Sequence, residues 1–251
     1  MLYRPYGKMG YDVSTFGFGL MRLPLNGKGG IDRAEATKMV HYAIDNGVNY
    51  FDTAYVYHGQ DSEVFAGEAL QGGYRQKVKI ATKLPMPMVK DAKHARQLLE
   101  TELKRLQTDH IDAYLLHGLD KGMWKKAQDL GLMECMEKFR EEGKIGAICF
   151  SFHDDKAVFE DIVNGYDGWD MAQIQMNYLD VDNQATIDGM RFAAQKGLAI
   201  VIMEPLRGGN LVRVPQEIQA MYDAFPIKRS AVEWAFRFMY DYPEVTSILS
   251  G

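Results

Sequence analysis

The sequence predicts an α/β protein built as a closed (β/α)8 TIM barrel with an N-terminal β-hairpin. Three observations carry that expectation: eight short apolar runs, helical segments with their own start and stop signals between them, and a length of 251 residues uninterrupted by a Pro/Ser-rich linker. That length is typical of a one-domain barrel, so residues 1–251 are expected to form a single domain.

The leading segment, residues 2–14, carries turn signals at Tyr6-Gly7-Lys8 and Met9-Gly10-Tyr11 and reads as a hairpin across the N-terminal mouth of the barrel. The apolar runs follow at residues 16–20, 49–53, 78–84, 111–117, 145–151, 171–177, 198–204 and 245–249. They are near-continuous in Val, Ile, Leu, Phe, Met and Ala instead of alternating, which suits strands covered on both faces, as in a parallel sheet. Between them, Asp32 precedes a helical run with Glu35 at the third position, Ser62-Glu63 opens another, and Asp91 begins the run to Leu106. Asn46-Gly47, Gly143 and Gly197 sit where the turn from helix to strand favours a residue tolerant of positive φ. Right-handed steps through eight parallel strands close more readily into a barrel than into an open sheet. No helical pattern follows the eighth run, so the barrel is expected to be truncated after its last strand, at Ser250-Gly251.

Composition narrows the function. With 34 acidic and 29 basic residues the net charge is −5, which gives no electrostatic footprint for nucleic acid or for an anionic membrane. No apolar stretch is long enough for a membrane span. Cys135 and Cys149 are too few for a disulfide framework, and a reducing cytoplasm is expected. The pattern carries no signal of oligomeric state.

Functional groups of such a barrel gather at the C-terminal ends of its strands. Those positions hold Asp52, Lys83, His117, Ser151, Asn177 and Glu204. Ser, Asn and Asp also serve as helix caps, but Lys and His following Ile80-Ala81-Thr82 and Tyr114-Leu115-Leu116 are poor caps. Tyr57, five residues after Asp52, is placed to reach over the rim toward Lys83, where an ammonium would lower the phenol's pKa. Asp52 would then hold Lys83, and His117 would orient a carbonyl oxygen. Taken singly, Tyr57 also reads as a packing residue and Asp52 as a turn cap. Met123, Trp124, His58 and Tyr178 read as pocket lining or, more commonly for such residues, as core. His41, His94 and His110 lack ligand-spaced partners and read as surface or capping residues, so no metal site is expected.

Phe51-Asp52-Thr53-Ala54 with Tyr57, Ala81-Thr82-Lys83, Asp112-Ala113-Tyr114-Leu115-Leu116-His117 and the run holding Gln173 together resemble the aldo-keto reductase family, over essentially the whole chain. The resemblance implies a catalytic tetrad of Asp52, Tyr57, Lys83 and His117 that reduces an aldehyde or ketone with NADPH, Tyr57 donating the proton. It also implies that Ser151 and Gln173 hold the nicotinamide amide, that Met21 and Arg22 lie near the ribose, and that Met203, Glu204, Pro205, Leu206, Gly208 and Asn210 run along a cofactor which Asp52 also faces. The family binds its cofactor without a Rossmann fingerprint, and only the fragment Gly17-Phe18-Gly19 hints at one here. Two positions depart from the family pattern: Ser151-Phe152-His153 replaces a Ser-Asn pair, and Met203 stands where many members stack an aromatic ring. The segments Gly-Phe-Gly-Leu-Met-Arg-Leu-Pro and Glu-Pro-Leu-Arg-Gly-Gly are most similar to bacterial members that continue into a ferredoxin-like segment. Two cysteines do not supply such a cluster, so no iron–sulfur cluster is expected in this chain, nor the adenosine-binding residues that follow the eighth strand in the family. A non-catalytic, nucleotide-sensing barrel protein is the alternative expectation.

Overall fold

The computed structural model describes residues 1–250. Strands β1 (Tyr3–Pro5) and β2 (Asp12–Ser14) pair antiparallel as the expected hairpin, with Tyr3 opposite Ser14. The barrel strands are β3 (Phe16–Gly19), β4 (Tyr50–Asp52), β5 (Lys79–Leu84), β6 (Ile111–Leu119), β7 (Ile145–Phe152), β8 (Met171–Gln175), β9 (Ala199–Met203) and β10 (Val245–Ser250). All neighbours pair parallel, and β10 returns to β3 to close the cylinder. The expected (β/α)8 barrel is therefore the observed fold, and every apolar run of the sequence contributes a strand.

Helices α1 (Arg33–Asp45), α2 (Ser62–Ala69) and α3 (Ala92–Arg105) follow the first three barrel strands. The Asp32 and Asp91 side chains accept the Glu35 and His94 amide hydrogens and so cap α1 and α3 as the sequence predicts. Ser62 does not cap α2. Its hydroxyl is buried, donates to the Leu20 carbonyl and meets the Thr53 hydroxyl at 2.8 Å, so it ties the strand ends together instead. Between β6 and β7 the chain forms two helices, α4 (Lys121–Asp129) and α5 (Leu132–Glu141), broken at Gly131, which adopts φ +59°. Helices α6 (Lys156–Asn164) and α7 (Thr186–Gln195) follow β7 and β8, and α8 (Gln216–Ala224) and α9 (Ala231–Tyr240) follow β9.

Two apolar layers fill the molecule. The larger lies between sheet and helices and takes in Phe51, Ile80, Leu116, Phe150, Ile174 and Ile202 from the outward faces of the strands. The smaller is the barrel interior, where Tyr50, Ala81, Ala113, Leu115, Cys149 and Val201 pack against Tyr6 and Val13 of the hairpin. Tyr6 and Tyr50 approach hydroxyl to hydroxyl at 3.3 Å, and Tyr11 stacks on Tyr6 with ring centroids 5.4 Å apart. The hairpin thus plugs the floor of the barrel. Gly17, the residue behind the weak Rossmann hint, has a packing role: a Cβ there would sit 2.9 Å from Leu249 Cδ2 and 3.0 Å from Tyr50 Cδ1. With the floor filled by tyrosine rings, the cavity among the described residues lies toward the C-terminal strand ends.

Candidate active site

Lys83 projects from β5 into that upper space and is 1% exposed. Its Nζ donates at 2.7 Å to Asp52 Oδ1, at 2.7 Å to the Thr53 carbonyl and at 3.5 Å to Tyr57 Oη. An ammonium has three hydrogens and no acceptor, so these three oxygens satisfy it completely. Burial works against the charged form of Lys83, but Asp52 and Tyr57 outweigh it and lift its pKa above the ordinary lysine value, so the proton stays on the lysine. Because Tyr57 Oη accepts from Lys83, its own O–H is free to donate elsewhere.

Tyr57 reaches this point from the tight turn Tyr57–Gln60 that follows β4. His117 comes from within β6, which runs on to Leu119, and is not at the strand end as the sequence suggests. The Tyr57 and His117 rings meet edge to face with centroids 6.0 Å apart. Asp52, Tyr57, Lys83 and His117 all line one cavity of about 250 Å³.

The expected depression of the Tyr57 pKa is not what the structure yields. Burial of the phenol raises it, and although the Lys83 ammonium pulls it down, the Asp52 carboxylate pushes the same way as burial, so the net direction is upward. Sequence reasoning weighed the ammonium and left out desolvation. His117 is pushed down to about 3 by burial first, then by the Lys83 and His153 charges, so its imidazole is neutral at physiological pH. The stability this implies has a definite sign. A histidine buried neutral binds fewer protons folded than unfolded, so its contribution is present above pH ~6.5 and is lost as pH falls toward about 3. The variant His117→Gln should therefore lose less stability than the parent between neutral and mildly acid pH. Denaturant midpoints across that range check this, and equal slopes for the two proteins would refute it.

Met21, Ser151, Gln173, Met203 and Glu204 line the same cavity, and so does His153, one of the two departures from the family pattern. Ser151 Oγ accepts the Gly118 amide hydrogen at 2.8 Å, and its own hydrogen remains available. Gln173 is 2% exposed and its Oε1 is buried without a partner. Arg22, Pro205, Leu206 and Gly208 line an adjoining groove of about 580 Å³, to which Glu204 also belongs. Arg22 Nη2 and Glu204 Oε1 stand 3.6 Å apart. Asn210 lines neither space; it opens the short helical turn Asn210–Val212.

Other sequence candidates prove structural. Asn177 is fully buried and folds its own loop, its Oδ1 accepting the Leu179 and Asp180 amide hydrogens. Trp124 packs against Trp169 on the outer layer with centroids 5.9 Å apart, and Tyr178 meets Phe238, so neither lines the cavity. Met123 packs against the same outer layer, and His58 accepts the Leu23 amide hydrogen. His41 and His110 bond the Ala69 and Gly143 carbonyls at 2.8 and 2.7 Å. Sequence reasoning missed the Thr53 carbonyl, the buried Glu63 and Thr82 and the half-buried Arg105 behind Lys83, because their partners lie far apart in the chain.

The aldo/keto reductase family model matches residues 15–249. The chain belongs to the aldo/keto reductase family. Among similar proteins, the uncharacterized oxidoreductase YrpG of Bacillus subtilis is 30% identical over 236 residues, covering 84% of this chain and 68% of that protein. "Probable aldo-keto reductase 1" of Glycine max is 32% identical over 153 residues, 58% of this chain and 43% of its own length. The match thus spans less than half of the soybean relative. The holo form of an aldo-keto reductase of Bacillus halodurans shares the fold across all of this chain and 86% of its own, with a TM-score of 0.82 at 24% identity.

Proposed function

We propose that this aldo/keto reductase uses NADPH to reduce an aldehyde or ketone to an alcohol, with Tyr57 as general acid. The observation that carries the reading is the chain of contacts from Tyr57 Oη through Lys83 Nζ to Asp52 inside one closed-bottomed cavity.

NADPH, when bound, supplies the hydride. The protein's residues supply the rest. A carbonyl oxygen lodged between Tyr57 and His117 would receive the Tyr57 proton as negative charge develops on it. The fixed ammonium of Lys83 stabilises the phenolate left behind, without solvent having to reorganise. Neutral His117 offers one N–H for orientation and adds no charge that would compete with Lys83. The unpartnered Gln173 Oε1 and the spare Ser151 hydrogen match the donor and acceptor of a carboxamide, which is the fit a nicotinamide requires. Met21, Met203 and Asp52 would face the cofactor beside them, and Arg22, Glu204, Pro205, Leu206 and Gly208 would follow its extended part. Gly208 adopts φ +66°, a conformation that leaves backbone exposed for close approach. Two buried, unpaired cysteines, Cys135 and Cys149, support a reducing cytoplasm as the setting.

Following the absorbance of reduced nicotinamide against a panel of simple aldehydes and ketones tests the proposal. Substrate-dependent oxidation of NADPH is the expected result. Tight NADPH binding without oxidation of any panel member would instead support a nucleotide-sensing protein.

A further inference from the structure

The turn carrying Tyr57 is held against its own preference. His58, Gly59 and Gln60 take φ values of +49°, +63° and +76° in succession, and two of the three are not glycine. A non-glycine residue in that region is strained and persists only where surrounding contacts over-determine it.

The Leu23 amide holds His58 by donating to its Nε2, and the contacts on either side of it converge on Arg105, the last residue of α3. Its Nη2 donates at 2.7 Å to Gln60 Oε1, three residues after Tyr57. Its guanidinium also lies 4.1 Å from the ring centre of Tyr55, two residues before Tyr57. Nη1 donates at 3.1 Å to Glu63 Oε2, and the Glu63 side chain is fully buried. Glu63 Oε1 in turn accepts the Thr82 hydroxyl at 2.6 Å, and Thr82 immediately precedes Lys83 on β5. Helix α2 comes this close to α3 because Gly67 has no side chain: a Cβ there would stand 2.3 Å from the Arg105 carbonyl oxygen.

One guanidinium therefore brackets the Tyr57 turn from both sides and is anchored, through one carboxylate, to the strand that presents Lys83. We infer that Arg105, with Glu63 and Gln60, is a positioning residue for Tyr57 that sets the distance between its phenol and the Lys83 ammonium. The inference rests on Tyr57 being the acid.

The test uses Arg105→Met, which keeps the apolar stem over Tyr55, and Gln60→Ala, a substitution on an exposed side chain. Both should lower kcat about 10- to 100-fold, the usual cost of a misplacement near 1 Å, while NADPH affinity measured by fluorescence changes little. In the reverse direction, alcohol oxidation, the rate rises with pH as the phenol ionises. That limb should move to higher pH in both variants, because a phenolate farther from Lys83 is less stabilised. The titratable and charged groups facing Tyr57 are Lys83, Asp52, His117 and Glu204, and neither variant alters them. Arg105→Lys, able to reach Glu63 but not to hold the fork, should recover part of the rate.

Lowered thermal stability with kcat and the pH limb unchanged in both variants would overturn the inference and leave Arg105 as a structural residue. Tyr57→Phe separates the two readings. If it abolishes the limb while Arg105→Met and Gln60→Ala do not move it, only the positioning role fails. If Tyr57→Phe leaves rate and limb intact, the acid assignment and the positioning role fall together.

Discussion

Tyr57→Phe is expected to lower carbonyl reduction by about 10²–10⁴-fold, the range that one well-placed general acid contributes. The substitution removes one oxygen and leaves the ring packed edge-on to His117, so the cavity keeps its shape. NADPH affinity should change little, since the groups proposed to hold the carboxamide, Ser151 and Gln173, lie on β7 and β8 and not on the turn. Lys83 then has only Asp52 and the Thr53 carbonyl to donate to, and two strong bonds at 2.7 Å still hold it. Steady-state kinetics beside an NADPH titration reads the result. Undiminished turnover with intact binding would remove the phenol from the mechanism and point to water or His117 as the proton source.

Lys83→Met should damage both activity and stability, and the two losses have different causes. Removing the ammonium leaves Asp52 buried at 3% exposure without its partner, and breaking a buried ion pair from one side typically costs ~3–5 kcal/mol. The catalytic loss arises because a phenolate formed on Tyr57 would find no positive charge in a site that already disfavours it through burial. The double variant Lys83→Met with Asp52→Asn removes the orphaned charge as well. It should regain much of the stability and none of the rate, a divergence that denaturant midpoints and kcat measured on the same preparations would expose. Recovery of rate along with stability would mean that the pair matters only for folding.

Much of this arrangement was legible before any coordinates. The continuity of the apolar runs gave away a doubly covered parallel sheet because a strand buried on both faces has no polar alternation to display, and all eight runs became barrel strands. The Asp32 and Asp91 caps were legible since a cap is a local bond between residues three apart. Ser62-Glu63 does open α2 as read, but the Ser62 hydroxyl is claimed by the Leu20 carbonyl forty-two residues away, which no local spacing announces. The site was legible as residue types at strand ends. Its electrostatics were not, because the direction of the Tyr57 shift depends on how much water the folded chain removes from the phenol. Arg105 and Glu63 were invisible, as nothing in a helix's spacing announces a partner on another helix.

The hairpin that seats Tyr6, Tyr11 and Val13 under the barrel has a bearing on traffic. With the basement sealed, the cavity that holds Lys83 faces the opposite rim. Two ligands sharing that space would be expected to stack, the lower one entering first and leaving last.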